Sequence, residues 1–305
     1  MILVTAAHGN QGKLLVPMLL TSGAKVRASV RSEESARALR SAGVDDVVVG
    51  DLGDPGVLAR AVAGVDEVYY VGPALHPGER EVGFTAVDAA AAAGVRHFVF
   101  SSVLHAITTD LVQHEVKRDI EEHLLSSGLD FTILQPANYM LRHRLLPAFR
   151  DGVFRLSWSL DRRQSMVDVA DVTAVAAAVL LGGEGHHGAT YELASPGRYT
   201  AHDIAATISE VIARQVVAKE IGPEDFLKAA LGVKSADEAP YQARLLRAIS
   251  ARYSSHDFVG NPNVLGWLLG RPPTTFREFV QREFDAFRTT AVQHPSVHAG
   301  PGGPS

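Results

Sequence analysis

At 305 residues the chain is long enough for roughly two domains, and its 46% hydrophobic content supplies a sizeable core. Its 29 basic and 34 acidic residues leave a net charge of −5, with no cationic excess to hold a nucleic-acid backbone, so direct nucleic-acid binding is not expected. The absence of cysteine excludes disulfides, a thiolate nucleophile, iron–sulfur clusters and cysteine zinc sites.

The opening residues MILVTAAHGNQG carry no basic segment, and the longest later apolar run, Ala174 to Leu181, is too short to span a bilayer. A cytoplasmic protein with no membrane partner is the expectation. Short β-branched runs predict strands at Ile2 to Thr5, Lys25 to Val30, Asp46 to Val49, Glu67 to Val71, His97 to Ser101 and Thr132 to Leu134. Helical stretches lie between them, at Gly12 to Ser22, Ser32 to Ala42, Pro55 to Ala63, Glu79 to Ala93 and Leu111 to Ser127. Each ends on a glycine turn, at Gly23, Gly43, Gly64, Gly94 and Gly128, where a C′ residue must turn left-handed. Repeated βαβ units of this kind predict an α/β fold of Rossmann type, a doubly wound parallel sheet covered on both faces.

After about residue 150 the rhythm changes. An aromatic segment (Val153 to Ser159), an alanine-rich helix (Val169 to Leu181), a strand (Thr190 to Ala194) and helices at Thr200 to Arg214 and Pro223 to Leu231 predict a smaller substrate region. Thr274 and Thr275 precede a helix from Phe276 to Phe287 whose Phe276, Phe279, Val280, Phe284 and Phe287 form a core-facing stripe. The expected division is a dinucleotide domain over 1–150, a C-terminal region over 151–292 partly interleaved with the sheet, and a disordered tail over 293–305.

The first strand runs into Ala6-Ala7-His8-Gly9-Asn10-Gln11-Gly12 and then a helix, the context in which backbone amides and a helix N-terminus face a pyrophosphate. Ala6 stands where the motif has its first glycine. Arg31 and Ser32 end the second strand without a carboxylate before Glu33, which favours the 2′-phosphate of NADP over NAD. Asp51 and Leu52, after the third strand, lie at the adenine edge, where Asp51 serves equally well as a turn cap. Val71 and Ser101, closing the fourth and fifth strands, and Gly72 and Ser102 just after them lie along the same carboxyl edge of the sheet as further cofactor contacts.

Taken together, VTAAHGNQG, VRASVR, GDLGDP, AAAAAGVRHFVFSS, KRDIEEHLLSSGLDFTILQPANYM, VDVADVTAVAAAVL and GRPPTTFREFV resemble the NmrA-like family of atypical short-chain dehydrogenases/reductases over nearly the whole chain. The resemblance implies NADP(H) binding, with members that reduce quinones and other small molecules and members that act as non-catalytic redox regulators. It also implies that Lys117 is the ribose-anchoring lysine and that Pro136 and Asn138 border the nicotinamide. The Tyr and Ser of the wider superfamily's acid–base set are missing, since Gln113 stands four residues before Lys117 and Val103 follows Ser102.

His105 and His114 are the candidate replacement proton donors, because imidazole titrates near neutral pH. Val103, Gln113, Tyr139, Met140 and His76 are the candidate substrate contacts. Glu184, His186 and His187 share a glycine-rich loop with no further ligand at metal spacing, and Asp168 and Asp171 suit a helix entrance, so no metal is expected. The expected activity is hydride transfer from NADPH to a quinone-like or polycyclic carbonyl compound, by a monomer or homodimer. The competing expectation is a silent NADP(H) sensor that acts through a protein partner.

Overall fold

The computed structural model describes residues 1–293, so from 294 onward the expected tail lies outside the described residues. In chain order, β1 (Ile2–Val4), α1 (Gly12–Thr21), β2 (Val26–Val30), α2 (Glu33–Ser41), β3 (Asp46–Val49), α3 (Pro55–Val62), β4 (Glu67–Tyr70), α4 (Glu79–Ala92), β5 (His97–Ser101), α5 (Val112–Leu125) and β6 (Asp130–Pro136) alternate without exception. The expected strands and helices lie within a residue or two of these bounds, save that β6 is longer at both ends. Helix entries carry the local chemistry that starts them: Ser32 accepts from the Ser35 amide at α2, and Asp54 accepts from the Gly56 amide at α3 beside Pro55. The five glycines expected to stop helices take φ between 69° (Gly64) and 95° (Gly43).

The second half contributes β7 (Asn138–Met140), α6 (Arg142–Asp151), β8 (Val153–Leu156), β9 (Met166–Asp168), α7 (Val169–Leu181), β10 (Ala189–Leu193), α8 (Ala201–Ile212), β11 (Val217–Glu220), α9 (Pro223–Leu231), α10 (Pro240–Ser255), α11 (Asn263–Leu269) and α12 (Phe276–Gln293). The central sheet has seven parallel strands in the order β10-β6-β5-β4-β1-β2-β3. Its last strand comes from the second half, with Ala189 opposite Thr132. β7 pairs with β9 and β8 with β11 as two small parallel ribbons.

Strand side chains alternate between two cores, as a pleat requires. Ile2, Val4, Tyr69 and Val99 join Leu15 and Leu19 of α1 and Val172, Val175, Ala176 and Val179 of α7. Leu3, Val68, Tyr70, Phe98 and Phe100 join Leu58 of α3, Val87 of α4 and Ile120 and Leu124 of α5. Asp168 accepts from the Ala170 amide at the start of α7 and pairs with Arg282 at 2.7 Å, while the fully buried Asp171 holds Arg271 and the Thr274 amide, each at 2.6 Å. Both acids therefore bind the C-terminal segment to α7. The stripe of α12 packs with Phe276, Phe279 and Val280 buried in the first of these cores.

Helices α6, α10 and α11 were not foreseen. α6 carries Pro147 in its interior, and Arg142, His143, Arg144 and Arg150 break up its apolar pattern. α10 buries Ala243, Leu245 and Tyr253, carries Arg244, Arg247 and Arg252 between them, and is also held from outside. Gln242 donates to the Leu75 carbonyl at 2.9 Å and Arg252 pairs with Asp110 at 3.3 Å, which lays α10 over the carboxyl edge of the sheet beside α5.

Candidate functional site

Strand order reverses between β1 and β4, which opens a crevice at the carboxyl ends of those strands. The turn from β1 to α1 lies at its mouth. Ala6 takes φ 47°, so an alanine accepts the left-handed backbone that a glycine usually supplies, at a cost of about 1 kcal/mol. The turn forms all the same. A Cβ at Gly12 would stand 2.5 Å from the Cα, C and O of Ala7, so only glycine lets α1 seat this close to the strand. Ala6, Gly9 and Asn10 are exposed, leaving the turn's outer face open to a ligand.

The underside of this turn is braced by buried polar groups. Tyr69 donates its phenol to Gln11 Oε1, and Gln11 Nε2 donates to Ser101 Oγ at 3.1 Å. Tyr139 stands over the same pair, its phenol pushed up to about 12 by burial against the opposing hydrogen bonds of Ser101 and Gln11. Thr5 Oγ1 accepts from the Val71 amide at 2.7 Å and donates to the Val71 carbonyl at 3.1 Å, joining the two lips of the crevice. Gln11 and Ser101 thus fix the turn from below, whereas Gly9 and Asn10 face outward.

Arg31 is exposed, and among the described residues no carboxylate pairs with it. Ser32 is engaged as the α2 cap, its hydroxyl also donating to Ser35 Oγ at 3.1 Å, and Ser35 Oγ meets His8 Nδ1 at 3.1 Å. Exposed Asp51 accepts from the Gly53 amide at 2.8 Å, and Leu52 packs half-buried beside it.

Lys117 is buried and its Nζ lies 2.7 Å from Oε1 of Glu79, itself buried at the start of α4. Phe100 lies beneath the ammonium at 5.2 Å. A Cβ at Gly72 would stand 3.0 Å from the Glu79 carboxylate and 3.5 Å from Lys117 Nζ, so the bare backbone at Gly72 roofs the pair. One turn along α5, Glu121 accepts from Ser102 Oγ and from Gln135 Nε2 at 2.9 and 3.0 Å, and burial raises its pKa. Ser102 is therefore occupied by a carboxylate. Glu79 and Glu121 were missed because a first-turn acid and a mid-helix acid read in sequence as solvated charges.

Beyond α5, under α6, α9 and α10, lies a cavity of about 430 Å³. Val103, Gln113, His114, Pro136 and Asn138 line it, so the positions of the absent Ser and Tyr meet around one space. Its far walls are Trp158, Phe226, Tyr253 and Phe258, none of them foreseen. Asn138 is fixed between Gln164, to which it donates at 3.2 Å, and Tyr253, whose phenol donates to it at 3.3 Å. Burial pushes the Tyr253 phenol up, which makes it a poor proton source.

His114 Nδ1 sits 3.0 Å from the His105 carbonyl, which fixes the Nδ1–H tautomer and leaves Nε2 as an acceptor. Burial lowers the His114 pKa more than this bond raises it. His105 itself, at φ 55°, does not line the cavity; its ring abuts Phe258 and its Nε2 lies 3.7 Å from Glu192. Tyr139 and Met140 line a separate space of only about 20 Å³. His76 is exposed, with Nδ1 accepting from the Gly78 amide. Among the described residues there is no group of three or more side chains able to hold a metal ion, and no helix is long and apolar enough to cross a membrane.

The family model described as the NmrA-like family matches residues 1–252. The chain belongs to the NmrA-like family. Among relatives of this member, the (4-alkanoyl-5-oxo-2,5-dihydrofuran-3-yl)methyl phosphate reductase of Streptomyces griseus is 33% identical over 292 residues, covering 94% of this chain and 99% of its own. Quinone oxidoreductase 2 of Escherichia coli is 29% identical over 293 residues, covering 93% and 99%. The structure of the latter with NADPH has a TM-score of 0.77 at 27% identity, covering 93% of this chain and 100% of that one. The triphenylmethane reductase of Citrobacter sp. complexed with NADP(H) has a TM-score of 0.78 at 26% identity, covering 93% and 100%.

Proposed function

We propose that this protein is an NADPH-dependent reductase of quinone-like or other conjugated, electron-poor small molecules. The observation that carries the reading is the adjacency of two features at one sheet edge. A glycine-turn crevice suited to a dinucleotide lies beside an apolar, aromatic-walled cavity of about 430 Å³, within the usual range for small-ligand sites. Of the three relatives described above, two are named as reductases and one as a quinone oxidoreductase, and two are described with NADPH or NADP(H).

The turn residues Gly9 and Asn10 present backbone to the pyrophosphate, and Gly12 seats the helix N-terminus against it. Arg31 is free to pair with a 2′-phosphate, which favours NADPH over NADH. Lys117, with one face on Glu79, has further N–H groups for the nicotinamide ribose. When bound, the nicotinamide supplies a hydride. Val103, Gln113 and His114 in its neutral form offer no strong acid, so the chain's residues exclude water and orient the acceptor while the reduced product takes its proton from solvent. This suits acceptors whose reduced anions are stabilised, such as quinones, better than simple ketones.

The second reading, a silent sensor of nicotinamide redox state, is favoured by the absence of an acid at Val103 and Gln113. A panel of quinones and aromatic ketones with NADPH or NADH, followed by loss of reduced-nicotinamide absorbance, tests the choice. Quinone-dependent oxidation that is faster with NADPH is expected; binding of NADPH with no oxidation across the panel favours the sensor.

A further inference from the structure

Arg144, in the first turn of α6, lines the cavity and has no ionic or hydrogen-bonded partner among the described residues. Its Cζ stands over the Trp158 ring at 5.5 Å and over the Phe226 ring at 5.8 Å. Its Nη2 is sealed from solvent and donates to nothing. Aromatic faces attract the charge of a guanidinium, but its five N–H groups lie in the guanidinium plane, where rings supply no acceptor. A buried donor left this way is a net cost to the fold. Neutralising the group instead is not open to arginine, which stays protonated even where burial lowers its pKa.

Among the described residues no carboxylate lines the cavity to meet this charge. The other ionisable groups on its walls are Arg155, His114, His143 and Tyr253, and Arg155 lies 3.9 Å from Asp151 outside the cavity. The cavity is thus apolar along its aromatic walls and cationic at one end, with the cation's in-plane donors unused.

We infer that Arg144 is an anion-recognition residue and that the compound held in this cavity carries an oxyanion substituent on an apolar body. A carboxylate, sulfonate or phosphate offers the paired oxygens that a guanidinium edge fits, while the rest of the molecule lies against Trp158, Phe226 and Tyr253. The inference deepens the reductase reading by naming the substrate class, and rests on that reading only for the claim that the cavity holds the substrate.

The test is calorimetric titration of the full chain, saturated with NADP⁺ to close the cofactor's own anion site, with 2-naphthoate and with the matched neutral 2-naphthamide. The wild-type chain is expected to bind 2-naphthoate at least about tenfold more tightly. Arg144→Gln and Arg144→Met are each expected to bring the two affinities together, Arg144→Lys to keep an intermediate preference, and Arg150→Gln, at an exposed position outside the cavity lining, to retain the full one. Circular dichroism and thermal melting identify any variant that fails to fold, and the two neutral variants with the lysine give three independent routes to the answer. 2-Naphthalenesulfonate and 2-naphthyl phosphate, titrated alongside, rank the headgroups. Equal wild-type affinities for naphthoate and naphthamide, or a preference that survives in both neutral variants, would overturn the inference. Quinone reduction is read separately: reduction without an anion preference overturns this inference alone, and an anion preference without reduction of any acceptor overturns the reductase reading alone.

Discussion

Lys117 and Glu79 form an ion pair at 2.7 Å with side chains only 9% and 4% exposed. Removing either partner strands the other charge in the interior, a loss of about 3–5 kcal/mol, whereas removing both leaves no orphan. Glu79→Gln, Lys117→Met and the double variant, compared by urea unfolding, are therefore expected to be strongly non-additive, with the double variant more stable than the sum of the singles predicts. Additive losses would mean that the two charges do not rely on one another.

The turn supplies a second prediction. Gly12→Ala forces a methyl into the Ala7 backbone, with no flexible atom to give way, and should weaken NADPH binding by roughly tenfold or more while lowering the melting temperature. Fluorescence titration of NADPH checks this, and unchanged affinity would remove the turn from the cofactor site.

Arg31→Asp separates the two cofactors. It replaces an unpaired cation with an acid that repels a 2′-phosphate but accepts from ribose hydroxyls, so NADPH affinity should fall by about tenfold or more while NADH is little affected or improves. Equal losses for both would sink the 2′-phosphate assignment.

His114 is predicted to orient rather than to transfer a proton. Its Nδ1–H is directed at the His105 carbonyl and burial favours the neutral ring. His114→Gln should lower quinone turnover by less than about tenfold, below the 10²–10⁴ range of a lost general acid. A loss inside that range, with a pH profile that flattens in the variant, would make His114 the proton donor.

Stability should fall in mild acid through His97. Its ring is buried at the start of β5, Nε2 2.9 Å from Thr132 Oγ1, a hydroxyl that itself donates to the His186 carbonyl. Burial lowers the His97 pKa from 6.5 to about 4. The unfolded chain therefore takes up a proton below about pH 6.5 while the native one does not until about pH 4. Stability is lost as pH falls through that window, by on the order of 3 kcal/mol from this group. Urea midpoints at pH 7 and 4.5 check this, and His97→Gln should flatten the dependence across that range.

Much of the scaffold was legible because its signals are local. A left-handed glycine after each of five helices and β-branched runs between them specify alternating elements without reference to the rest of the chain. The family resemblance, rather than local pattern, singled out Val103, Gln113, Pro136 and Asn138, and these line one cavity with His114. What local pattern missed is held by long-range contacts. Glu79 acquires meaning only when Lys117, far along the chain, packs against it, and α10 is tied by Leu75 and Asp110 as well as by its own buried Leu245 and Tyr253. Tyr139 was expected at the substrate but its phenol turns toward Gln11 and Ser101, a direction that strand spacing does not encode.

The most direct measurement is anaerobic mixing of the protein with stoichiometric NADPH and menadione, following nicotinamide absorbance and hydroquinone together. The account predicts one hydroquinone formed for each NADPH consumed, at a rate that rises with protein concentration. NADPH that binds the protein yet is consumed no faster than in its absence, with menadione unreduced, would contradict the reductase account and point to a protein that reads the cofactor without using it.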